Sequence, residues 1–205
     1  MRRFLQLNLG LMMFGLAIAL MLKAGIGLDP WSVLHKGLSE QLGVSFGRTT
    51  QIVGLTLIAV TWAFFGTRPG LGTALNMVLV GLWVDLFHAQ AWLPDAHGAL
   101  WGVVQFRVGV ASVGLASGLY ISARFGAGPR DGFVLGLAGK LKSSIRLTRG
   151  GVELSVLALG FALGGPPGLG TVLFALTVGV FMQFFLRVFN YQRPVVVPSV
   201  SHGTD

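Results

Sequence analysis

Pro69-Gly70-Leu71-Gly72-Thr73 returns 98 residues later as Pro167-Gly168-Leu169-Gly170-Thr171. Random pairing in so Gly- and Leu-rich a chain gives roughly a tenth identical. Five consecutive matches that include Pro and Thr are therefore a strong sign of an internal repeat. Working outward, a shift of 99 lays residues 15–66 on 114–165 with 17 identities in 52 positions. Among them are Gly15/Gly114, Gly27/Gly126, Pro30/Pro129, Gly37/Gly136, Leu38/Leu137, Thr49/Thr148 and Val53/Val152. Each half reads as a long helix, a Gly-Pro turn opening a short amphipathic segment, a short helix, the Pro-Gly-Leu-Gly-Thr loop and a long helix.

The medium around these helices follows from composition. Of the 205 residues, 53% are hydrophobic and only 11% charged, and the mean hydropathy is +0.75. A soluble domain usually has about a quarter of its residues charged, so the solvent expected here is lipid. The 31 glycines agree, since Gly lets membrane helices approach closely. Without Cys there are no disulfides, thiolate metal sites or Cys nucleophiles. The net charge of +8 does not point to nucleic acid. The basic residues sit at the ends of apolar runs, where membrane topology wants them.

Six apolar segments are expected as spans: 4–22, 51–65, 71–87, 101–123, 151–164 and 169–188. The second and fifth are short for a hydrocarbon core about 30 Å thick, which takes about 20 helical residues. The N-terminal run resembles a signal peptide, but its counterpart deep in the chain argues that it belongs to the folded unit. The predicted fold is all-α, a polytopic membrane protein with six transmembrane helices as two inverted three-helix repeats, each with a short amphipathic or re-entrant helix. Residues 1–99 form the first repeat and 100–189 the second, inverted one. Residues 190–205 are expected to be a disordered cytoplasmic tail.

Three spans per repeat is an odd number, so the second copy inverts, and the basic residues test this. With the N-terminus in the cytoplasm, the inner segments hold Arg2, Arg3, Arg68, Arg124, Arg130, Lys140, Lys142, Arg146, Arg149, Arg187 and Arg193. The outer segments hold only Lys23, Lys36 and Arg48, and Arg107 lies within the fourth span. This positive-inside bias predicts a bacterial cytoplasmic (inner) membrane protein, multi-pass, with both termini cytoplasmic.

The short segments come first among candidate sites. Pro30 and Pro129 suit the first turn of a helix, and Asp29 is placed to cap the first of them. Trp31, Leu34, Leu38 and Leu42 form an apolar stripe, while Ser32, His35, Lys36, Ser39 and Glu40 are polar. This pattern fits a helix lying on the membrane surface or a re-entrant half-helix facing a central site. The repeat loops, with Gly70, Gly72, Thr73, Gly168, Gly170 and Thr171, are either tight turns or helix N-termini that attract anions. No Lys follows as in a nucleotide-binding loop.

Ionisable groups inside spans are expensive and usually paired. Asp85 and Arg107 both fall on the outer side, at a depth that would allow a pair between them. Arg149 and Glu153 share a helix face at i, i+4 spacing. Arg107 matches Asn8, Glu153 matches Gly54 and Asp85 matches Gln183 across the repeat. Charges break the symmetry that the glycines keep, so they are candidate functional groups. The fourth span also carries Gly114 and Gly118, a small-xxx-small pair.

Asp29-Pro30-Trp31-Ser32-Val33-Leu34-His35, the Pro-Gly-Leu-Gly-Thr loops, Gly128-Pro129-Arg130-Asp131-Gly132 and Arg149 with Glu153 together resemble the YczE/YitT-type bacterial integral membrane proteins. The resemblance covers nearly the whole chain except the tail. It implies a bacterial cytoplasmic membrane protein and no settled substrate. Family members often carry an acidic residue after the Trp, where this chain has Ser32.

The sequence carries no metalloprotease, hydrolase-elbow or metal-type carboxylate motif, so no enzyme, cofactor or metal is expected. The expected function is a small-solute transporter or permease of unknown substrate. The alternative is a non-transporting accessory or scaffold protein acting on a membrane partner. Asp29, Trp31 and His35 are expected at an outer mouth, and Arg130, Asp131, Arg149 and Glu153 at a cytoplasmic one. Asp85, Arg107 and Asn76 complete the candidate substrate-binding set. The expected partners are the lipid bilayer, an unknown small solute and a second copy in a homodimer, with no nucleic acid.

Overall fold

The computed structural model describes residues 1–189; the expected tail lies outside the described residues. Every regular element among them is α-helical. The order is α1 (Arg2–Ala24), α2 (Pro30–Leu42), α3 (Phe46–Phe65), α4 (Leu71–His88), α5 (Ala99–Ser122), α6 (Pro129–Leu141), α7 (Ile145–Ala162) and α8 (Leu169–Val188). Five of these, α1, α3, α4, α5 and α8, are long and apolar enough to cross a membrane. The second expected segment proves long, because α3 begins five residues earlier than its apolar run. Ser45 caps it by accepting the N–H of Arg48 at 3.2 Å, and Gly66 closes it at φ 66°. The fifth expected segment overlaps α7 through Ala162 and runs two residues past its end; the 18 residues of α7 include Arg146, Arg149 and Glu153, which keep it out of that apolar set.

The ends of the short helices follow their local chemistry. Asp29 Oδ1 accepts the N–H of Ser32 at 3.3 Å, Pro30 takes the first turn and Gly43 ends α2 in the left-handed region. In α6 the N-cap is Gly128, which has no side chain to cap with, and Lys142 takes the left-handed C-cap at φ 51°.

Packing repeats between the halves, contact for contact. The Gln6 side chain donates to Leu119 O at 3.1 Å, and its counterpart Gln105 donates to Leu20 O at 3.2 Å. A methyl on Gly10 would stand 2.9 Å from Tyr120 N, and one on Gly109 would stand 2.7 Å from Met21 Cγ. These reciprocal pairs set α1 and α5 antiparallel at the centre. On their flanks, α4 packs on α1 where Gly15 admits Trp83, and α8 packs on α5 where Gly114 admits Phe181. The main core lies among these four helices, with Leu7, Leu11, Met21, Val84, Phe106 and Val110 fully or almost fully buried. On α8 an outward stripe of Val172, Leu176, Val180 and Phe184 is more than half exposed, as a lipid-facing surface requires.

The shorter helices form a second layer in which the halves interlock. α2 packs on α7, and α6 packs on α3. The Pro-Gly-Leu-Gly-Thr loops fasten the exchange. Gly72 N–H donates to Phe125 O at 2.9 Å and Gly170 N–H to Ile26 O at 2.8 Å. Thr73 Oγ1 donates to Ala127 O, and Thr171 Oγ1 to Leu28 O, each at 2.6 Å. Each loop thus docks on the Gly-Pro turn of the opposite half.

Candidate functional site

The first turns of α2 and α6 meet. Arg130 stands over the ring of Trp31, 5.1 Å from its centroid. These two residues occupy the same position in the two halves, and a position that touches its own counterpart lies where the halves are related to each other. The contact explains why α2 is not a surface helix. Much of its polar face is buried along with the apolar one: Ser32 is 0%, His35 1% and Ser39 9% exposed, while Lys36 and Glu40 remain accessible.

Around this contact the polar groups are few and directed. Arg130 Nη2 lies 3.4 Å from His35 Nδ1, and Thr50 Oγ1 lies 3.0 Å from the same nitrogen. A guanidinium only donates, so Nδ1 accepts and the ring proton sits on Nε2. Thr50 Oγ1 also lies 3.1 Å from Phe46 O, so its one hydroxyl proton is shared between that carbonyl and Nδ1, and Phe46 packs edge-on against the imidazole at 5.7 Å. His35 Nε2 and Ser32 Oγ are buried without a partner. Arg130 has no carboxylate within ion-pair distance among the described residues. The carboxylates whose charge acts on it are Asp29, Asp131 and Glu153.

The remaining charges of the second half form a chain. Asp131 Oδ1 lies 3.4 Å from Arg149 Nη1, and Arg149 Nε donates to Glu153 Oε1 at 3.2 Å. The i, i+4 pair on α7 is therefore present and reaches across to α6. The residues expected at two opposite mouths, Trp31 and His35 on one side and Arg130 on the other, come together instead. The first turns of α2 and α6 meet each other, with Arg130 over Trp31.

Beside this cluster opens a cavity of about 810 Å³ between α2, α3, α6 and α7. Its walls come in repeat-related pairs. Leu38 faces it with Leu137, Leu42 with Leu141, Thr49 with Thr148 and Val53 with Val152, and four further pairs do the same. Trp31 joins the cavity to the Arg130 cluster. No charged side chain lines it; its only polar side chains are hydroxyls of Thr49, Thr56, Thr148, Ser143 and Ser155. Its volume suits a ligand of drug size, and its lining suits a predominantly apolar one.

The other candidate residues lie elsewhere. The Asp85–Arg107 pair that depth would allow is not formed. Asp85 accepts the Ser45 hydroxyl and the Gly47 N–H, the latter at 2.7 Å, and so anchors the start of α3 on α4. Arg107 is exposed on α5. Depth along two spans brought these residues to one level but did not fix which way each faces. Asn76 faces the α6 N-cap, its amide 3.6 Å from where a Gly128 side chain would begin. The N–H groups of Gly72 and Gly170 are engaged by carbonyls. Gly70 and Gly168 donate to Thr73 and Thr171 Oγ1 at 3.2 and 3.0 Å. These loops hold the halves together. Sequence reasoning missed Thr50 and Phe46, and the available signal was that Thr50 aligns with Arg149.

The comparisons with known proteins match this architecture to a family rather than to an activity. Residues 1–187 match the model of a family of unknown function, DUF6198. The chain is 33% identical over 182 residues to the uncharacterized membrane protein YczE of Bacillus subtilis (strain 168), covering 87% of this chain and 83% of that protein. It is 35% identical over 178 residues to an uncharacterized protein of Haemophilus influenzae (strain ATCC 51907 / DSM 11121 / KW20 / Rd), covering 87% of this chain and 80% of that one. It is 23% identical over 192 residues to the uncharacterized protein YyaS of B. subtilis, covering 91% and 93%. No solved structure matches. The chain belongs to the DUF6198 family, a YczE-type family of bacterial multi-pass membrane proteins.

Proposed function

We propose that this protein is a permease whose ligand, a small and mainly apolar molecule, occupies the cavity between its two halves. In this reading six helices span the inner membrane as two inverted repeats, α1, α3 and α4 against α5, α7 and α8, with the termini in the cytoplasm. The reciprocal antiparallel contacts of α1 and α5 support the inversion. At about 27 Å for 18 residues, α7 is long enough to serve as the sixth span with its Arg149–Glu153 pair turned toward α6. α2 and α6 are then re-entrant half-helices whose N-termini converge, the arrangement that inverted-repeat transporters use at a central site. The observation that carries the reading is the cavity itself, walled by eight repeat-related pairs, with Trp31 and Arg130 at its edge.

The test is flux into proteoliposomes from a panel of small amphipathic solutes. Val152→Trp, which fills the cavity from α7, serves as the blocked control. Flux above that of protein-free vesicles, lost in V152W, supports transport. Folded protein that moves no member of the panel refutes it. The uncharged wall favours one second reading: an accessory protein that holds an apolar segment of a membrane partner in this space. Partner capture that V152W abolishes, with no flux, is its signature.

A further inference from the structure

The cavity between α2, α3, α6 and α7 has a closed side and an open one. Its floor is made by the short helices, where Trp31 and Leu34 are 7% and 5% exposed. Its rim is made by α3 and α7, where Ile52, Thr56, Gly151 and Ser155 line the space and yet are exposed. α3 packs on α2, α4 and α6, and α7 on α2 and α6, but the two rim helices do not pack on each other. A methyl on Gly151 would meet nothing within 4 Å. Thr56 is the eleventh of the 20 residues of α3, and Ser155 the eleventh of the 18 of α7. With both helices spanning, the gap between them lies near the middle of the bilayer and faces lipid.

The hydroxyls in this space are already used. Thr49 Oγ1 donates to Ser45 O at 3.1 Å, Thr56 to Ile52 O at 2.9 Å and Ser155 to Gly151 O at 2.8 Å. Ser143 and Thr148 bond each other at 2.5 Å, and Ser143 reaches Ser144 O at 3.4 Å. A hydroxyl has one proton to donate, and each is directed at a protein oxygen. Such a wall would strand the polar groups of a solute, whereas hydrocarbon loses nothing against it. The two ends of the cavity differ. Leu141, Ser143 and Leu147 line the end where α6 gives way to α7. Lys142 lies between the first two and Arg146 precedes the third; both are exposed. No Asp or Glu occurs from 132 to 152, and the counterparts of these two cations in the first half are Gly43 and Gly47. At the opposite end Glu40 pairs with Lys36 at 3.2 Å. The basic end is the cytoplasmic one in the topology proposed above, and Lys and Arg at that surface attract anionic lipid.

We propose that the cavity is loaded sideways from the cytoplasmic leaflet, and that its occupant is one acyl chain of an anionic phospholipid whose phosphate stays at the membrane surface beside Lys142 and Arg146. The chain enters between α3 and α7, past Thr56 and Ser155, and rests against Leu38, Leu137 and the Trp31 ring. The site rests on the membrane spans of the proposed function and is the same cavity, with its ligand class named. Bilayer lipid outside the cavity does not reach Trp31, which makes that ring the probe.

The test uses the full chain with Trp31 as its one tryptophan, through Trp62→Phe, Trp83→Phe, Trp92→Phe and Trp101→Phe. It is reconstituted in phosphatidylcholine vesicles that contain, at equal mole fraction, either phosphatidylglycerol or phosphatidylcholine brominated at mid-chain, and quenching of Trp31 fluorescence is read. Brominated phosphatidylglycerol should quench more strongly than brominated phosphatidylcholine. Ser155→Phe, which fills the gap from an exposed position, should remove the quenching. Lys142→Gln and Arg146→Gln should each weaken the apparent affinity for phosphatidylglycerol about fivefold. If the tryptophan replacements prevent folding, the protein with all its tryptophans is extracted into neutral detergent and read by native mass spectrometry. Phosphatidylglycerol should then be retained, and lost in S155F. Quenching or retention that is equal for the two lipids, that survives S155F or that is absent overturns the proposal. Flux is not read in this experiment. A chain that binds but is never carried leaves this site standing while the permease reading falls, and solute flux without quenching of Trp31 does the reverse.

Discussion

Thr171→Val is isosteric and removes one hydroxyl, but that hydroxyl makes two bonds. It donates to Leu28 O at 2.6 Å and accepts the Gly168 N–H at 3.0 Å. Thr171 is 7% exposed, so water does not replace either bond. Hydrogen bonds between helices in a membrane protein are worth on average about 0.6 kcal/mol and at most about 1.7. A buried group left without any partner costs about 1–3 kcal/mol. Two bonds are lost here, which at the membrane values gives a loss of about 1–3 kcal/mol, rising to about 2–6 kcal/mol if both groups stay fully orphaned. Thr73→Val orphans the equivalent pair, Ala127 O and Gly70 N–H, and should cost about the same. The double variant should lose the sum to within about 0.5 kcal/mol, because the two junctions share no partner.

The assay is reversible unfolding in mixed micelles by titration with sodium dodecyl sulfate, followed by far-UV circular dichroism. Thr171→Ser keeps the hydroxyl and is the control. The reasoning is refuted if both Val variants shift stability by less than about 0.5 kcal/mol. It is also refuted if T171S is as damaging as T171V, since the loss would then come from shape and not from the bonds.

Four further outcomes are expected. Gly160→Ala drives a methyl to within 2.5 Å of Leu34 N and should cost about 1–3 kcal/mol by overpacking. Gly132→Ala meets open space and should be neutral or slightly stabilising through helix propensity, both read by the same unfolding titration. Asp85→Asn keeps one acceptor oxygen of two and should cost about 1–3 kcal/mol, with faster amide exchange in the first turn of α3 as its local signature. Glu153→Gln breaks a pair whose side chains are about one-third and one-half exposed and should change stability by less than about 1 kcal/mol; a larger shift in the unfolding midpoint would show that the pair is more buried than its geometry implies.

The repeat was legible because Gly, Pro and Thr at fixed spacing are local demands of turns and close contacts. Helix starts were legible where a cap stood in sequence, as with Asp29 before Pro30. The start of α3 was not. Its anchor is the carboxylate of Asp85, 38 residues away, together with Ser45, and polar residues at a helix start look like loop to a hydropathy reading. The Arg130–Trp31 contact was within reach of the sequence, since the two residues align. It was lost by placing each short helix at its own membrane face. The Asp85–Arg107 pair failed for the opposite reason, because depth alone was used where rotation about the helix axis decides.

The positions at which the halves differ carry an argument of their own. The scaffold contacts are shared: Gln6 and Gln105, Gly15 and Gly114, Thr73 and Thr171 each do the same task twice. Residues that face only lipid have loose constraints, and differences there would mean little. Yet Trp31 and Arg130, Thr50 and Arg149, Thr61 and Gly160, and Val33 and Gly132 differ where the halves touch each other or enclose space. Contacts between identical positions are the easiest to satisfy with identical residues, and a purely structural dimer-like core would keep them so. Breaking them makes the second loop's junction solid, with Gly160 against Leu34, leaves a cavity of about 190 Å³ at the first, and sets a cation against an indole at the centre.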